Sequence, residues 1–526
     1  RRLLALVGRD DARPETKGEA IPVVQTGPSA LTSKGPVFNP LFTWFMENGS
    51  VYKLQIGPKA FIVVSDPVVA RHLLRDNSMN YSKGVLAEIL EPIMGNGLIP
   101  ADGETSKVRR KAIAPAFHMQ YYAAMAKVFG ACTERVVDKI EAQLTKSDAA
   151  ALDMELEFSS LSLDIIGLGV FNYDFGSINS ESPVIKAVYG VLKEAEHRST
   201  FYIPYWNIPI TKYIVPRQVQ FNRDIQVIND CLDDLIRRAV ETRQEDDMEA
   251  LQTRDYANVR DPSLLRFLVD MRGEDTSNKQ LRDDLMTMLI AGHETTAAVL
   301  TWTFFCIAQN PRVEQKLLDE IDRVVGDRAP TIDEIRGLPY LRATLAESLR
   351  VYPQPPILIR RALSDDTLPA GLNGDPNGYP IGKGADIFIS VWNLHHSPHL
   401  WRDPEAFTPE RFEVPFTNEA FGGAWAGYNP ASSALYPNEV SSDFAFLPFG
   451  GGSRKCLGDQ FAMFEATIAA AMLLRRYTFR LAGNASDVGM AVGATIHTTN
   501  GLHMRITRRQ LGAAAAAVGA SEVAQV

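Results

Sequence analysis

Residues Phe444 to Leu473 read FAFLPFGGGSRKCLGDQFAMFEATIAAAML, and this stretch decides the fold. Phe449, Gly452, Arg454, Cys456 and Gly458 stand in one frame, F-x-x-G-x-R-x-C-x-G. A Gly-rich turn here delivers a single cysteine to the start of a helix, where free backbone N–H groups and the positive helix end stabilise a thiolate. Glycine lets the backbone lie close to a flat ring. Arg454, two residues before the cysteine, can neutralise a carboxylate of a cofactor. The competing explanation is a chance Gly-rich turn beside a buried cysteine, and five fixed positions weigh against it.

The remaining cysteines narrow the chemistry. Cys132, Cys231 and Cys306 are far apart, and no CxxC pair occurs. A zinc ribbon, a thioredoxin-type redox pair and covalent c-type haem attachment therefore lack support. Those three read as small buried hydrophobes. With 45% apolar residues in 526, a large core forms without disulfides. The formal net charge of -9 argues against a nucleic-acid binder.

Upstream of the cysteine, ESLRVYPQPPILIRR places Glu347 and Arg350 three residues apart on one helix face, and PERF supplies Arg411. A lone ExxR carries little information, because such pairs are common on helix surfaces. Its order and distance from Cys456 give it value. Further upstream, LRDDLMTMLIAGHETTAAVLTWTFFCIAQNP from Leu281 is apolar almost all round, so it reads as a buried helix ended by Pro311. At about 1.5 Å per residue it spans roughly 40 Å. Ala291 and Gly292 are small and leave room against a ring. Glu294 and Thr295 place a carboxylate and a hydroxyl at mid-helix. A helical Thr can bond the i−4 carbonyl and bend the helix, opening a pocket. The alternative is an ordinary helix whose Thr is capped by its own backbone.

These motifs together resemble the cytochrome P450 family of haem-thiolate monooxygenases, from about Gly27 to Arg509. The resemblance implies a mainly α fold with small β-sheet regions, a triangular helical prism around a haem. It implies haem b (iron protoporphyrin IX) with Cys456 as the axial ligand, and Phe449, Gly452, Gly458, Ala291 and Gly292 against the cofactor. Glu294 and Thr295 are then catalytic, Thr295 hydrogen-bonding oxygen and Glu294 relaying protons. Glu347, Arg350 and Arg411 become a buried ion-pair triad behind the haem loop. Arg110, Arg360 and Arg454 become propionate partners. DGETSKVRRKAIAPAFH matches the family's W-x-x-x-R helix except that Ser106 stands where Trp is usual, which removes an indole donor near Arg110.

Organisation follows. Residues 1–35 read as an irregular lead-in, 36–509 as the monooxygenase domain and 510–526 as a disordered Ala-rich tail. VYKLQIG, AFIVVS and ADIFISVW read as strands. The stretches from Gly84 and from Phe201 to Pro216 read as mobile apolar loops. The run Lys107, Arg109, Arg110 and Lys111 is either a docking patch for an acidic electron donor or a solvated helix face. His395, His396 and His399 suggest a metal site, but no HExxH arrangement accompanies them, so packed imidazoles are the preferred reading. No run of eighteen apolar residues predicts a membrane span. The chain begins RRLLALVGRDDARPE, and the expectation is a targeting peptide already removed.

VRRKAIAPAFH, FYIPYWNIPI, DIFISVWNLHHSPHLW and GATIHTTNGLHM resemble one branch, the plastid carotenoid ring hydroxylases. That branch implies a carotene substrate hydroxylated on its β- or ε-ring, with molecular oxygen and electrons from ferredoxin or an NADPH-dependent reductase. It also implies a plastid enzyme resting on a membrane without crossing it, its two apolar loops dipping into the surface. Another P450-type lipid or terpenoid oxidase, a hydroperoxide-rearranging haem-thiolate enzyme and a non-catalytic haem binder remain as alternatives.

Overall fold

The apolar segment around Ala291 forms one helix, Asn278–Gln309, of 32 residues. Pro311 ends it as expected and serves as the first residue of the next helix, Pro311–Val324. In this computed structural model, residues 21–31, 35–57, 59–180, 183–200, 205–242, 261–271, 278–372, 374–421 and 423–510 are described. Most of the proposed tail, from residue 511, the first 20 residues and Phe201 to Pro204 lie outside the described residues. Helix makes up 57% of the structure, beside several small sheets. The chain divides into two compact units.

The first unit holds residues 1–86, 346–456 and 490–492. Its six-stranded sheet runs in the order Val23–Thr26, Val51–Ile56, Lys59–Val64, Asp386–Ser390, Ile357–Ala362 and Tyr81–Ser82. Leu41 and Phe45, from the helix Phe38–Asn48, cluster with Tyr52, Leu54, Ile56 and Val63 of the sheet. The Tyr52 hydroxyl donates to Leu41 O at 3.0 Å, which satisfies the one polar atom of that buried ring. The lead-in is not wholly irregular: Val23–Thr26 is a strand parallel to Val51–Ile56. Its alternation of exposed and half-buried residues is too weakly apolar to stand out in sequence.

The second unit holds residues 87–345, 457–489 and 493–526. The Asn278–Gln309 helix packs along Met154–Phe171, which is likewise buried on nearly every side. Gly292 permits their close approach, because a Cβ there would lie 2.4 Å from Ile166 Cδ1. Phe158 and Phe304 meet farther along, with ring centroids 4.9 Å apart. The strands Tyr477–Leu481, His503–Arg508 and Ala150–Asp153 form a sheet at the chain's end.

The stretch from Gly84 is not a loop. Val85–Met94 is a helix with Pro92 inside it. Pro92 removes one hydrogen bond of the helix near its end, and the helix stops at Gly95, whose φ of 53° is left-handed. The second expected loop also carries local order, a 3-10 turn at Tyr205–Asn207 and a short helix at Thr211–Ile214. Among the described residues no helix is long and apolar enough to cross a membrane.

Candidate active site

Cys456 ends a tight loop that its own backbone closes: Cys456 N–H donates to Phe449 O at 2.9 Å. Gly452 turns the chain at φ 67°, and a Cβ there would lie 1.8 Å from Leu74 O, so only glycine fits. Ser453 and Ser78 bond through their hydroxyls at 3.1 Å, and Arg454 Nη1 donates to Ser78 O at 3.4 Å. Lys455 pairs with Glu439 at 3.1 Å, and Phe449 meets Tyr436 edge-on at 5.1 Å. Ser453, Arg454 and Lys455 before the cysteine are thus bonded, yet Cys456 itself is exposed, whereas Cys132 and Cys306 are buried and Cys231 half-buried. The helix Asp459–Arg476 begins three residues later, with Gly458 as its N-cap. A Cβ on Gly458 would meet nothing within 4 Å.

Behind the loop lies the expected triad. Glu347 Oε2 accepts from Arg350 Nε at 2.9 Å, and Oε1 accepts from Arg350 Nη2, Arg411 Nε and Thr408 N, each at 2.9 Å. Glu347 and Arg350 are fully buried. Arg350 Nη1 donates to His395 O at 2.8 Å, and its Nη2 to Ala406 O. His395 extends the frame. Leu447 N–H donates to its Nε2 at 2.8 Å, so that nitrogen carries no proton, and Nδ1 donates to Leu349 O at 3.2 Å. Burial drives its pKa well below the ordinary histidine value, which suits this neutral form. His395 and His396 are packed in the interior, His396 stacking on Trp392 at 4.0 Å, whereas His399 is exposed. Sequence reasoning had no signal for the link that His395 makes between helix and cysteine loop.

On the long helix, Thr295 Oγ1 donates to Ala291 O at 2.8 Å, the i−4 bond foreseen for it. Ala291, Glu294 and Thr295 are half-buried. Gly292 is small enough for its helix to pack against Ile166. Glu294 Oε1 accepts from Thr495 Oγ1 at 2.6 Å. His293 is wholly buried, Nε2 bonds Ser159 Oγ at 2.9 Å, and burial lowers its pKa to about 4. Glu465, on the helix after the cysteine, is also wholly buried, and burial pushes its pKa up to about 8.

Arg360 lies buried on its strand with Nη1 donating to Ile359 O at 2.7 Å. Arg110 and Ser106 are half-buried on the helix Gly103–Ile113. Arg109 leaves the basic run: it is buried and ion-paired with Asp284, whose own pKa burial raises to about 6. Lys107 pairs with Glu104 at 2.7 Å. A patch on this helix therefore rests on Lys107, Arg110 and Lys111 alone.

A bonded loop that presents one exposed cysteine, with an ion-pair triad behind it, suits a protein that holds a metal through a thiolate. The chain belongs to the cytochrome P450 family, whose model matches residues 16–491. It is 59% identical over 497 residues to cytochrome P450 97B2, chloroplastic, of Glycine max, covering 93% of this chain and 86% of that one. To protein LUTEIN DEFICIENT 5, chloroplastic, of Arabidopsis thaliana it is 50% identical over 472 residues, 90% of this chain and 74% of that one. To carotene epsilon-monooxygenase, chloroplastic, of Arabidopsis thaliana it is 43% identical over 476 residues, 90% of this chain and 83% of that one.

Family membership implies a haem whose iron a cysteine thiolate holds. The residues fit that group. The exposed sulfur of Cys456 is the donor such an iron takes, and the open space at Gly458 leaves the adjoining backbone uncovered.

Proposed function

We propose that this chain is a plastid monooxygenase that hydroxylates the β- or ε-ring of a carotene, with residues 36–509 as its catalytic domain. Two names support the substrate class: one relative is called a carotene epsilon-monooxygenase and another is named for lutein deficiency. The carrying observation in the structure is the exposed Cys456 on a loop whose preceding residues, Ser453 to Lys455, are bonded to their surroundings. The overall reaction takes one ring C–H, molecular oxygen, two electrons and two protons, and returns the ring alcohol and water.

Haem b, when bound, supplies the oxygen activation. The chain's residues do the rest. Cys456 donates electron density from its thiolate. Arg454, Arg360 and Arg110 neutralise propionate carboxylates, the geometry of Arg454 being set by Ser78 and that of Arg360 by its strand. Phe449, Gly452 and Gly458 shape the cofactor side of the loop, and Ala291 with Gly292 sets the backbone of the helix that carries the acid and the alcohol. Thr295 holds its hydroxyl hydrogen on Ala291 O and turns it outward to pass a proton. Glu294 feeds that proton from a carboxylate fixed by Thr495. Ferredoxin or an NADPH-dependent reductase supplies electrons singly.

Ile208, Ile210, Tyr213 and Ile214 are 45%, 58%, 72% and 65% exposed, an apolar surface suited to resting on the membrane in which a carotene dissolves. Supplying the purified, haem-loaded protein with β- and ε-ring carotenes, oxygen and reduced ferredoxin tests the reading. Ring alcohols identified by mass and retention are expected. Thiolate-bound haem with no oxygen-dependent product from any carotene would refute the substrate and favour a non-catalytic haem protein.

A further inference from the structure

We infer that Thr495 is a positioning residue for Glu294, and that the segment 495–498 sets the direction in which the carboxylate hands over its proton. The inference rests on Glu294 acting as the proton relay.

The segment 495–498 is fastened at three points. Thr495, itself buried, donates its hydroxyl to Glu294 Oε1 at 2.6 Å. One residue on, Ile496 O accepts from Trp302 Nε1 at 2.7 Å, two helical turns farther along the same helix as Glu294. Two residues beyond that, Thr498 bonds Glu155 through both its backbone N–H and its hydroxyl. Trp302 and Glu155 hold the segment in register, so Thr495 cannot drift from the carboxylate. The O–H···O⁻ separation is that of a charge-assisted bond, the stronger kind.

A Glu side chain turns about three torsions, and each combination aims its second oxygen in a different direction. Occupying Oε1 with a fixed donor selects among them. Proton transfer needs hydrogen-bond reach in the correct direction. Without the Thr495 hydroxyl, Glu294 Oε1 loses this donor and the transfer slows, while every residue that binds the cofactor stays in place.

The test compares Thr495→Val, Thr495→Ser, Glu294→Gln and the Thr495→Val/Glu294→Gln pair in the full-length, haem-loaded protein. Thermal melting reads the contact without turnover. Coupled melting shifts, with the pair losing less than the sum of the singles, are expected. Product formed per electron, peroxide released and the pH profile of product formation read the function. Thr495→Val is expected to lower product per electron about tenfold, the factor that one lost charge-assisted bond implies. Peroxide should rise to match, the pH profile should move, and Thr495→Ser should restore all three.

Additive melting shifts would overturn the inference by showing no contact. A normal Thr495→Val beside a defective Glu294→Gln would overturn the inference alone. A normally coupled Glu294→Gln would overturn the relay reading and the inference with it.

Discussion

Replacing Glu347 by Gln probes the frame behind the cysteine. The carboxylate is fully buried and accepts four hydrogen bonds, three of them from two guanidinium groups. Glutamine fits the same space but brings no charge, and its amide N–H₂ must face a guanidinium N–H where Oε1 or Oε2 accepted. Arg350, wholly buried, then keeps its charge with only the carbonyls of His395 and Ala406 near it. Breaking a buried pair from one side costs about 3–5 kcal/mol, a large part of a total stability of about 5–15 kcal/mol. Unfolding entropy of about 2.1 cal/mol/K per residue over 526 residues makes roughly 1 kcal/mol per degree, so the melting temperature should fall by only about 3–5 °C. Urea unfolding followed by haem absorbance is the sharper assay, since the midpoint carries the whole loss. Arg411→Lys, which keeps the charge at the less buried corner, should cost less. A loss under about 1 kcal/mol for Glu347→Gln would refute the view that this anion holds two buried cations.

Cys456→Ser should remove the thiolate signature from the spectrum of the ferrous carbonyl form, and retention of that signature would exclude Cys456 as the ligand. Gly452→Ala sets a Cβ 1.8 Å from Leu74 O at a left-handed φ, whereas Gly458→Ala meets open space at φ -93°. Apoprotein melting should fall for the first, by at least about 1–2 kcal/mol of backbone strain, and hold for the second. Glu465 keeps its proton in the fold up to about pH 8 but, unfolded, only to 4.5. The folded state therefore binds the extra proton, and stability falls by about 1.4 kcal/mol per pH unit between those values, levelling off above. Glu465→Gln should flatten that slope in urea titrations run at several pH values; an unchanged slope would show that the carboxyl ionises where it lies.

The parts legible in sequence were those whose residues act together over short chain distances. The cysteine loop is set by turn-forming glycines within a few residues, and Glu347 with Arg350 lie on one helical face. The long helix betrayed itself by being apolar all round. What sequence missed depends on contacts across the chain. Arg109 reads as part of a basic run because its partner, Asp284, is 175 residues away. Thr495 stands 201 residues from Glu294, and nothing local marks it. The contact of Gly292 with Ile166 joins helices more than a hundred residues apart, which no local pattern shows. Val85–Met94 was obscured by Pro92, although the terminator is Gly95.

His395 has a consequence for the order of assembly. Its imidazole joins Leu349 O to Leu447 N, and its carbonyl receives Arg350. These groups, like Leu74, Ser78, Thr408, Arg411 and Glu439, all precede Cys456 along the chain. Synthesis runs from the N-terminus, so the scaffold leaves the ribosome before the sulfur it holds. A nascent chain halted just past residue 456 already carries every one of these supports for the cysteine turn.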